Sequence, residues 1–434
     1  KPDLASAFGQ ALIESGVTDA DLARLVDEGS IATDRFDHAI QRAYRVPELE
    51  DIAADLARRV EQGRLDLARE PGRIDEAIAM LGGEQRARLL AKRRLEAAGE
   101  YAVPALLRVI TEGRDERLRV ASRDMLVTIG RVAVMPLCEA VTEVDEGSQR
   151  IIADVLGEIG YVHAAPALKA LVDNAATGGP TREAAARSLD RIGGGSASLS
   201  ELHTELAIQY YRPIESLIAY PYEDTNNVWS YDAFVGLQAT PVPTVVFNEI
   251  MAMREASRAV ALDAGNARAL TYFVAANLKR ENDLPTGAAD PIYGNAKYSP
   301  DFYATIFGTQ VCQDVLALAL DTADTPLVRD AIAALADTTG GSNLFTASGG
   351  RQPLLDAVLF SDRRVQYDAG LTLAHALPDR SFEGDFRVVP LLASAVRTGN
   401  QSFAMVVAGD EENRRQAVNA LEARGYSVVG AEAT

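Results

Sequence analysis

The chain has 434 residues, 47% hydrophobic, 24% charged and only 6% aromatic, with a formal net charge of −19. No stretch approaches the ~18–20 uninterrupted apolar residues of a membrane span, and Cys138 and Cys312 are too few for a disulfide framework. The acidic balance argues against a nucleic-acid scaffold, because phosphate binding draws mainly on Lys and Arg; what remains is a globular chain of several domains, at about 100–200 residues each, or one long repeat array.

Residues 1–80 are expected to form a helical lead-in. In SGVTDADLARLVDEG, Thr18 is an N-cap candidate with Asp21 three residues on, and LEDIAADLARRVEQG is expected to end its helix at Gly63. The chain begins at Lys1 instead of Met, as a processed product would. A cytoplasmic location and export after loss of a signal peptide both fit.

Residues 81–195 repeat. Gly99, Gly130, Gly160 and Gly193 recur at intervals of 31, 30 and 33, each after an apolar run: RRLEAAG, DMLVTIG, DVLGEIG and RSLDRIG. Three are followed by Ala, Pro and a second apolar run, in EYAVPALLRVI, RVAVMPLCEAV and YVHAAPALKALV. Val134, Leu137, Cys138 and Val141 fall at helical spacing, and Ile151, Ile152, Val155, Leu156 and Ile159 form another stripe. Glycine is expected to end the first helix of each pair in a left-handed conformation. Proline suits the first turn of the second helix, where its missing N–H costs nothing. Each pair is too short to bury its own apolar face, so neighbours must stack.

This rhythm resembles the HEAT-repeat family, in particular bacterial members with a Gly-x-x-Ala-x-x-Pro-x-Leu pattern. The resemblance implies an all-α fold, an α-α superhelix (a HEAT/ARM-like solenoid), whose common property is scaffolding. A further match falls within 341–400, where PLLDAVLFSDRRVQYDAGLTLAHAL precedes RVVPLLASAV and Asp362, Arg363 and Arg364 occupy the inter-helix turn.

Between the two lies a region of different character, residues 196–340. GGGSASLS at 193–200 reads as a flexible connector; it lacks the Gly-Lys-Ser/Thr ending of a phosphate-binding loop. Residues 210–307 then hold 15 of the 27 Phe, Tyr and Trp residues. EASRAVALDAGNARALTYFVAANLKRE reads as two helices joined at Asp-Ala-Gly-Asn and is similar to a tetratricopeptide-type hairpin. The flanking segments 220–245 and 283–300, rich in Pro, Tyr, Asn and Asp, are expected to be long irregular insertions.

Residues 401–434 change again, to a strand (Phe403–Val407), a helix (about Glu412–Arg424) and a strand (Tyr426–Val429), a small α/β appendage. It looks like the opening βαβ of a response-regulator receiver domain. Ala408 and Gly409 stand where that family has its magnesium-binding acids, and Asp410 alone cannot hold the ion. The resemblance therefore implies a degenerate receiver-like end without phosphorylation chemistry. Its incomplete sheet leaves an edge for homodimerisation.

Signals of chemistry are scarce. There is no G-x-S-x-G, H-E-x-x-H, C-x-x-C or G-x-G-x-x-G. His38, His163, His203 and His375 lie far apart, and both cysteines sit in apolar runs, so structural roles are expected. No cofactor, metal or catalytic residue is expected. The first functional expectation is a non-enzymatic protein–protein interaction scaffold with a protein or peptide partner.

Two candidate surfaces go with it. The first is an aromatic partner or ligand surface around Tyr220, Tyr222, Trp229, Tyr231, Tyr293 and Tyr298, because Tyr and Trp combine contact area with a polar handle. A pocket there, in 210–307, is the alternative that would make the protein a ligand binder or an enzyme; the same aromatics also suit a buried core. The second is a basic ladder, Arg86, Arg88, Lys92, Arg117, Arg123, Arg150 and Arg187, at related repeat positions. It suits an acidic peptide or, less readily, a nucleic acid. Residues 1–200 carry 26 basic against 33 acidic residues, a net of −7, so a solvated face of paired arginines is the expectation.

Overall fold

The computed structural model describes residues 2–27, 33–212, 214–338, 350–376, 381–382, 384–398 and 402–432. These are mostly helical, with two small sheets of two strands each. They form two compact units, Lys1–Leu206 with Ile214–Phe247, and Ala207–Pro213 with Asn248–Thr434.

The first unit begins with α1 (Pro2–Glu14), α2 (Asp19–Asp27), α3 (Thr33–Ala43), α4 (Glu50–Arg69) and α5 (Pro71–Leu81). Thr18 caps α2 as the sequence suggests, its Oγ1 accepting from Asp21 N at 3.1 Å. Gly63 does not end a helix; α4 runs through it to Arg69. A Cβ at Gly63 would sit 1.8 Å from the Asp19 carbonyl oxygen, so this glycine admits the close approach of α2.

The repeat region follows as α6 (Gln85–Ala98) with α7 (Val103–Glu112), α8 (Glu116–Ile129) with α9 (Val134–Ala140), α10 (Glu146–Ile159) with α11 (Ala165–Asp173), and then α12 (Gly179–Ile192). The first helices of the last two pairs start on aspartate. Asp115 accepts from Arg117 N and Leu118 N, and Asp145 accepts from Gly147 N and Ser148 N. All four first helices end on the expected glycines, at φ +57°, +72°, +75° and +90°. A short 3₁₀ turn separates each pair's helices and buries Ala102, Ala133 and Ala164 completely. Pro104 and Pro166 open the second helices, while Pro136 is the third residue of its helix. One continuous core runs from Ile74 to Leu189 through Leu106, Met125, Leu137, Leu156 and Leu168.

The glycine-rich stretch at 193–200 is a compact turn, not a connector between units. Ser198 Oγ accepts from Glu201 N while Glu201 Oε2 accepts from Ser198 N, a reciprocal cap that starts α13 (Leu199–Tyr211). The division between units falls further on, inside α13 after Leu206.

The first expected insertion contains a hairpin. β1 (Thr225–Asp232) pairs antiparallel with β2 (Gly236–Pro243), Trp229 opposite Ala239. Its three-residue loop is set by Asp232, whose Oδ1 accepts from Phe234 N and Val235 N, and by Gly236 at φ +84°. Pro241 and Pro243 in β2 mask the pattern in the sequence; they are tolerated because β2 has only one neighbour.

Helix α14 (Thr244–Leu262) leads into the second unit and turns at Asp263–Asn266 into α15 (Ala267–Asp283), capped by Asn266, as the hairpin reading requires. Residues 284–299 are irregular, as expected, but anchored. Asp290, buried, accepts from Ile292 N, Tyr293 N and, at 2.7 Å, from Arg280 Nη1 of α15. Then come α16 (Pro300–Ile306), α17 (Thr309–Asp321), α18 (Thr325–Thr338), α19 (Pro353–Ala357), α20 (Arg363–His375) and α21 (Asp385–Thr398). Asp362 caps α20 in the manner of Asp115 and Asp145; Leu377, which closes the matching run in the sequence, lies outside the described residues. The chain then makes β3 (Ser402–Ala408), α22 (Glu411–Glu422) and β4 (Tyr426–Glu432), with the strands parallel. That agrees with the strand–helix–strand reading. No described helix is long and apolar enough to cross a membrane.

Candidate functional site

Four of the six aromatic candidates lie in the first unit, around the docked hairpin. β1 lies against α9, and β2 against α7 and α9. On β1, Asn227 and Trp229 point the same way because side chains alternate along a strand. They meet Glu100, in the 3₁₀ turn after Gly99. Asn227 Nδ2 donates to Glu100 Oε1 at 2.7 Å and Trp229 Nε1 donates to Oε2 at 2.9 Å. Glu100 is 1% exposed and Trp229 2%.

Beside this contact, Arg69 from α4 lies between two rings, 4.5 Å from the Tyr101 centroid and 4.6 Å from that of Tyr220. Its guanidinium makes a bidentate pair with Glu223, at 2.8 and 2.6 Å. The Tyr220 hydroxyl accepts from Glu100 N at 3.3 Å and occupies the space where Gly99 lacks a side chain; a Cβ there would sit 2.3 Å from it. Asn226, on the other face of β1, closes the preceding loop by accepting from Tyr220 N and donating to Tyr220 O and Thr244 Oγ1.

Burial pushes the Glu100 carboxyl up to about 7, against the opposing pull of the Trp229 and Asn227 hydrogen bonds and the nearby Arg69. Burial likewise raises the Tyr220 phenol, and the Glu100 charge adds to this. A carboxyl group that titrates near neutrality is often an acid or base in catalysis. Here both oxygens are engaged by the hairpin. The adjoining cavity, between Arg131, Met135, His163 and the 216–219 turn, has only about 10 Å³, the lower limit for a single water. The group therefore works as a fastening between hairpin and repeats.

This corrects the reading of Trp229 as part of a partner surface: it is core, because its indole N–H has a buried carboxylate to satisfy. Tyr220 is half-buried against Arg69, and Tyr231 is half-buried on the repeat core. Tyr222 alone of the four is open, at 91% exposure; Phe234 at the hairpin tip, part of the aromatic block but not among the candidate surface residues, is 98% exposed. Tyr293 and Tyr298 belong to the other unit. Tyr293 is half-buried and its phenol is raised by burial. Tyr298 is partly exposed and stacks on Phe302, centroids 4.2 Å apart.

The basic ladder divides in two. Arg123 pairs with Asp124 at 3.0 Å and with Glu158 of the next first helix. Arg187 stands 4.0 Å from Asp154. Asp154 and Arg187 each lie six residues before their repeat glycine, a position that carries Arg93, Asp124, Asp154 and Arg187 in turn and so both signs. By contrast, Arg86, Arg88, Lys92, Arg117 and Arg150 are exposed and have no ionic partner among the described residues. Leu89, Leu90 and Val120 are exposed between them, at 54%, 44% and 51%. Arg86, Leu89 and Leu90 fall at i, i+3 and i+4 on α6, and Arg117 and Val120 at i and i+3 on α8, so apolar and basic side chains share one face. Glu100 gave no motif in the sequence. The one hint was Glu placed directly after a repeat glycine, where the next two repeats have Arg131 and Tyr161.

Among the described residues, no group of His, Cys, Asp and Glu is placed to hold a metal. No protein-family model matches the chain, and no curated protein is significantly similar to it.

Proposed function

We propose that the protein is a non-enzymatic interaction scaffold, a HEAT-like α-solenoid whose first helices α6, α8 and α10 bind an acidic, amphipathic protein segment. The observation that carries this is the face of Arg86, Leu89, Leu90, Arg117 and Val120, where exposed apolar side chains alternate with unpaired guanidinium groups. An isolated exposed Leu needs no explanation, but a row of them flanked by positive charge on a protein of net charge −19 does. The hairpin reinforces the reading, because it already occupies the second helices α7 and α9 and leaves the first-helix side open.

The test is affinity capture with the full chain and with a Leu89→Glu/Leu90→Glu/Val120→Glu variant, at two ionic strengths. Proteins retained by the wild type at low salt, weakened at high salt and lost from the variant support the proposal. The same proteins recovered in equal amount by the variant overturn it, and salt-sensitive retention of RNA or DNA by the wild type transfers the face to nucleic acid.

A second reading concerns the C-terminal segment, similar to a receiver-domain opening. One face of β3 presents Phe403, Met405 and Val407 at 56%, 70% and 59% exposure. Parallel strands ordinarily have both faces covered. We propose that a second copy of the chain covers this face as a homodimer. Light scattering of the wild type and of Met405→Asp decides it: a dimer mass that falls to monomer in the variant is the expected result, and identical masses refute it.

A further inference from the structure

The first unit contains a pocket that neither the hairpin nor the first-helix face explains. It lies among α2, α4, α5 and α6, has a volume of about 240 Å³, and is ringed by Arg24, Arg64, Arg73, Arg93 and Arg94. Five guanidinium groups on one small pocket are unexpected in a chain with 62 acidic and 43 basic residues. The rest of the lining is Asp27 of α2, paired with Arg64, and the apolar Leu67 and Ala68 of α4, Ile74 of α5 and Ala97 of α6. The volume lies just below the ~300–1,000 Å³ of drug-sized ligand sites and greatly exceeds the space of one water.

Four of the five charges divide into two groups. Arg64 is committed to Asp27, at 2.7 Å, and to Glu61 at 3.2 Å. Arg24 shares Asp21 and Glu70, at 3.4 and 3.3 Å. Arg93 and Arg94, adjacent on α6, have no ionic partner among the described residues, although acidic groups are abundant. Two guanidinium groups that no described carboxylate neutralises, over a largely apolar floor, match a doubly charged anion attached to a small apolar body. Planar guanidinium forks suit the oxygens of a phosphate, and a phosphomonoester carries a charge of about −1.5 to −2 at neutral pH.

We propose that this pocket binds a small-molecule phosphomonoester, its phosphate held by Arg93 and Arg94 and its apolar group resting on Leu67, Ala68, Ile74 and Ala97. Arg64 and Arg24, each tied to carboxylates, hold the wall in place. The site does not depend on the partner-binding role of the α6–α10 face, and either can fail without the other.

Isothermal titration calorimetry of the full chain with phenyl phosphate, inorganic phosphate and benzoate tests the proposal. Phenyl phosphate is expected to bind at least about tenfold more tightly than either of the others, since one lacks the apolar group and the other the second charge. Arg93→Gln/Arg94→Gln is expected to weaken phenyl phosphate by about tenfold or more, because hydrogen bonds to a charged group are worth ~1.5–3 kcal/mol each. Neither arginine has an ionic partner among the described residues, so the thermal midpoint of the variant should match that of the wild type; this separates lost binding from lost folding. Absence of phenyl phosphate binding at millimolar concentration and low salt overturns the site. Equal affinity for benzoate overturns the assignment to a dianion, equal affinity for inorganic phosphate overturns the apolar floor, and undiminished binding by the double variant removes Arg93 and Arg94 from it.

Discussion

The two small sheets of this protein have the same number of strands and opposite fates. The β1–β2 hairpin buries Asn226, Asn227, Val228 and Trp229 in succession and is tied to the repeats by a buried carboxylate. The β3–β4 sheet is covered on one side by α22 and leaves Phe403, Met405 and Val407 in solvent. A two-stranded sheet is marginal by itself in water, so its stability comes from what it docks on. The hairpin gains its place from buried polar contacts, Trp229 Nε1 and Asn227 Nδ2 on Glu100. The C-terminal sheet has an apolar face, which association can cover but which specifies no register.

That contrast sets the sizes of the expected effects. The largest belongs to Glu100→Ala, which removes the carboxylate that accepts from two buried donors. At ~1–3 kcal/mol per unsatisfied group, the first unit should lose about 3 kcal/mol, read by denaturant titration. Trp229 is the only tryptophan, and its emission should shift to the red; an unshifted spectrum with unchanged stability would mean the hairpin is held by other contacts.

Next comes Gly99→Ala. The position combines φ +57° with a Cβ 2.3 Å from the Tyr220 hydroxyl, so about 1–3 kcal/mol of strain is expected. Gly130→Ala has the same positive φ but no atom within 4 Å, and should cost visibly less. Equal costs at the two sites would show that Tyr220 does not press on Gly99.

The third expectation concerns pH. The Glu100 carboxyl titrates higher in the fold, at about 7, than its ordinary 4.5. A raised carboxyl favours the protonated folded state, so its contribution is complete below pH 4.5, declines as pH rises toward 7 and is lost above. Hairpin stability followed by Trp229 emission should fall across that window. Glu100→Gln should flatten the profile, and a variant that keeps the slope would assign it to another group.

The smallest effects are expected where side chains already face water. Phe234→Ser at the hairpin tip should change folding stability by no more than about 0.5 kcal/mol, measured by thermal unfolding. A large loss of stability would show that its exposed side chain is packed in solution.

The legible parts of the sequence were those whose cause is local. Repeat glycines at positive φ, the Thr18 cap and the strand–helix–strand at the end of the chain each follow from a few neighbouring residues. Gly63 misled because glycine serves two purposes, ending a helix or admitting another backbone, and only the position of Asp19 distinguishes them. The hairpin was hidden because Pro241 and Pro243 read as loop, and because its strongest contact joins residues 129 positions apart. The candidate site was half visible: the aromatic block was noticed, but Glu100, which decides what Trp229 does, carries no motif.

By itself, then, the sequence determined that helices recur in pairs, where the repeat helices end, and that the chain ends in a small α/β unit, since positive-φ glycine and apolar periodicity act within one or two turns. The tertiary structure decided which polar groups meet. Whether Trp229 is exposed or buried, whether an arginine is neutralised like Arg123 or left open like Arg93, and whether Glu100 is charged all depend on partners brought from distant positions. Charge and burial are properties of an assembled environment, and no local pattern encodes them.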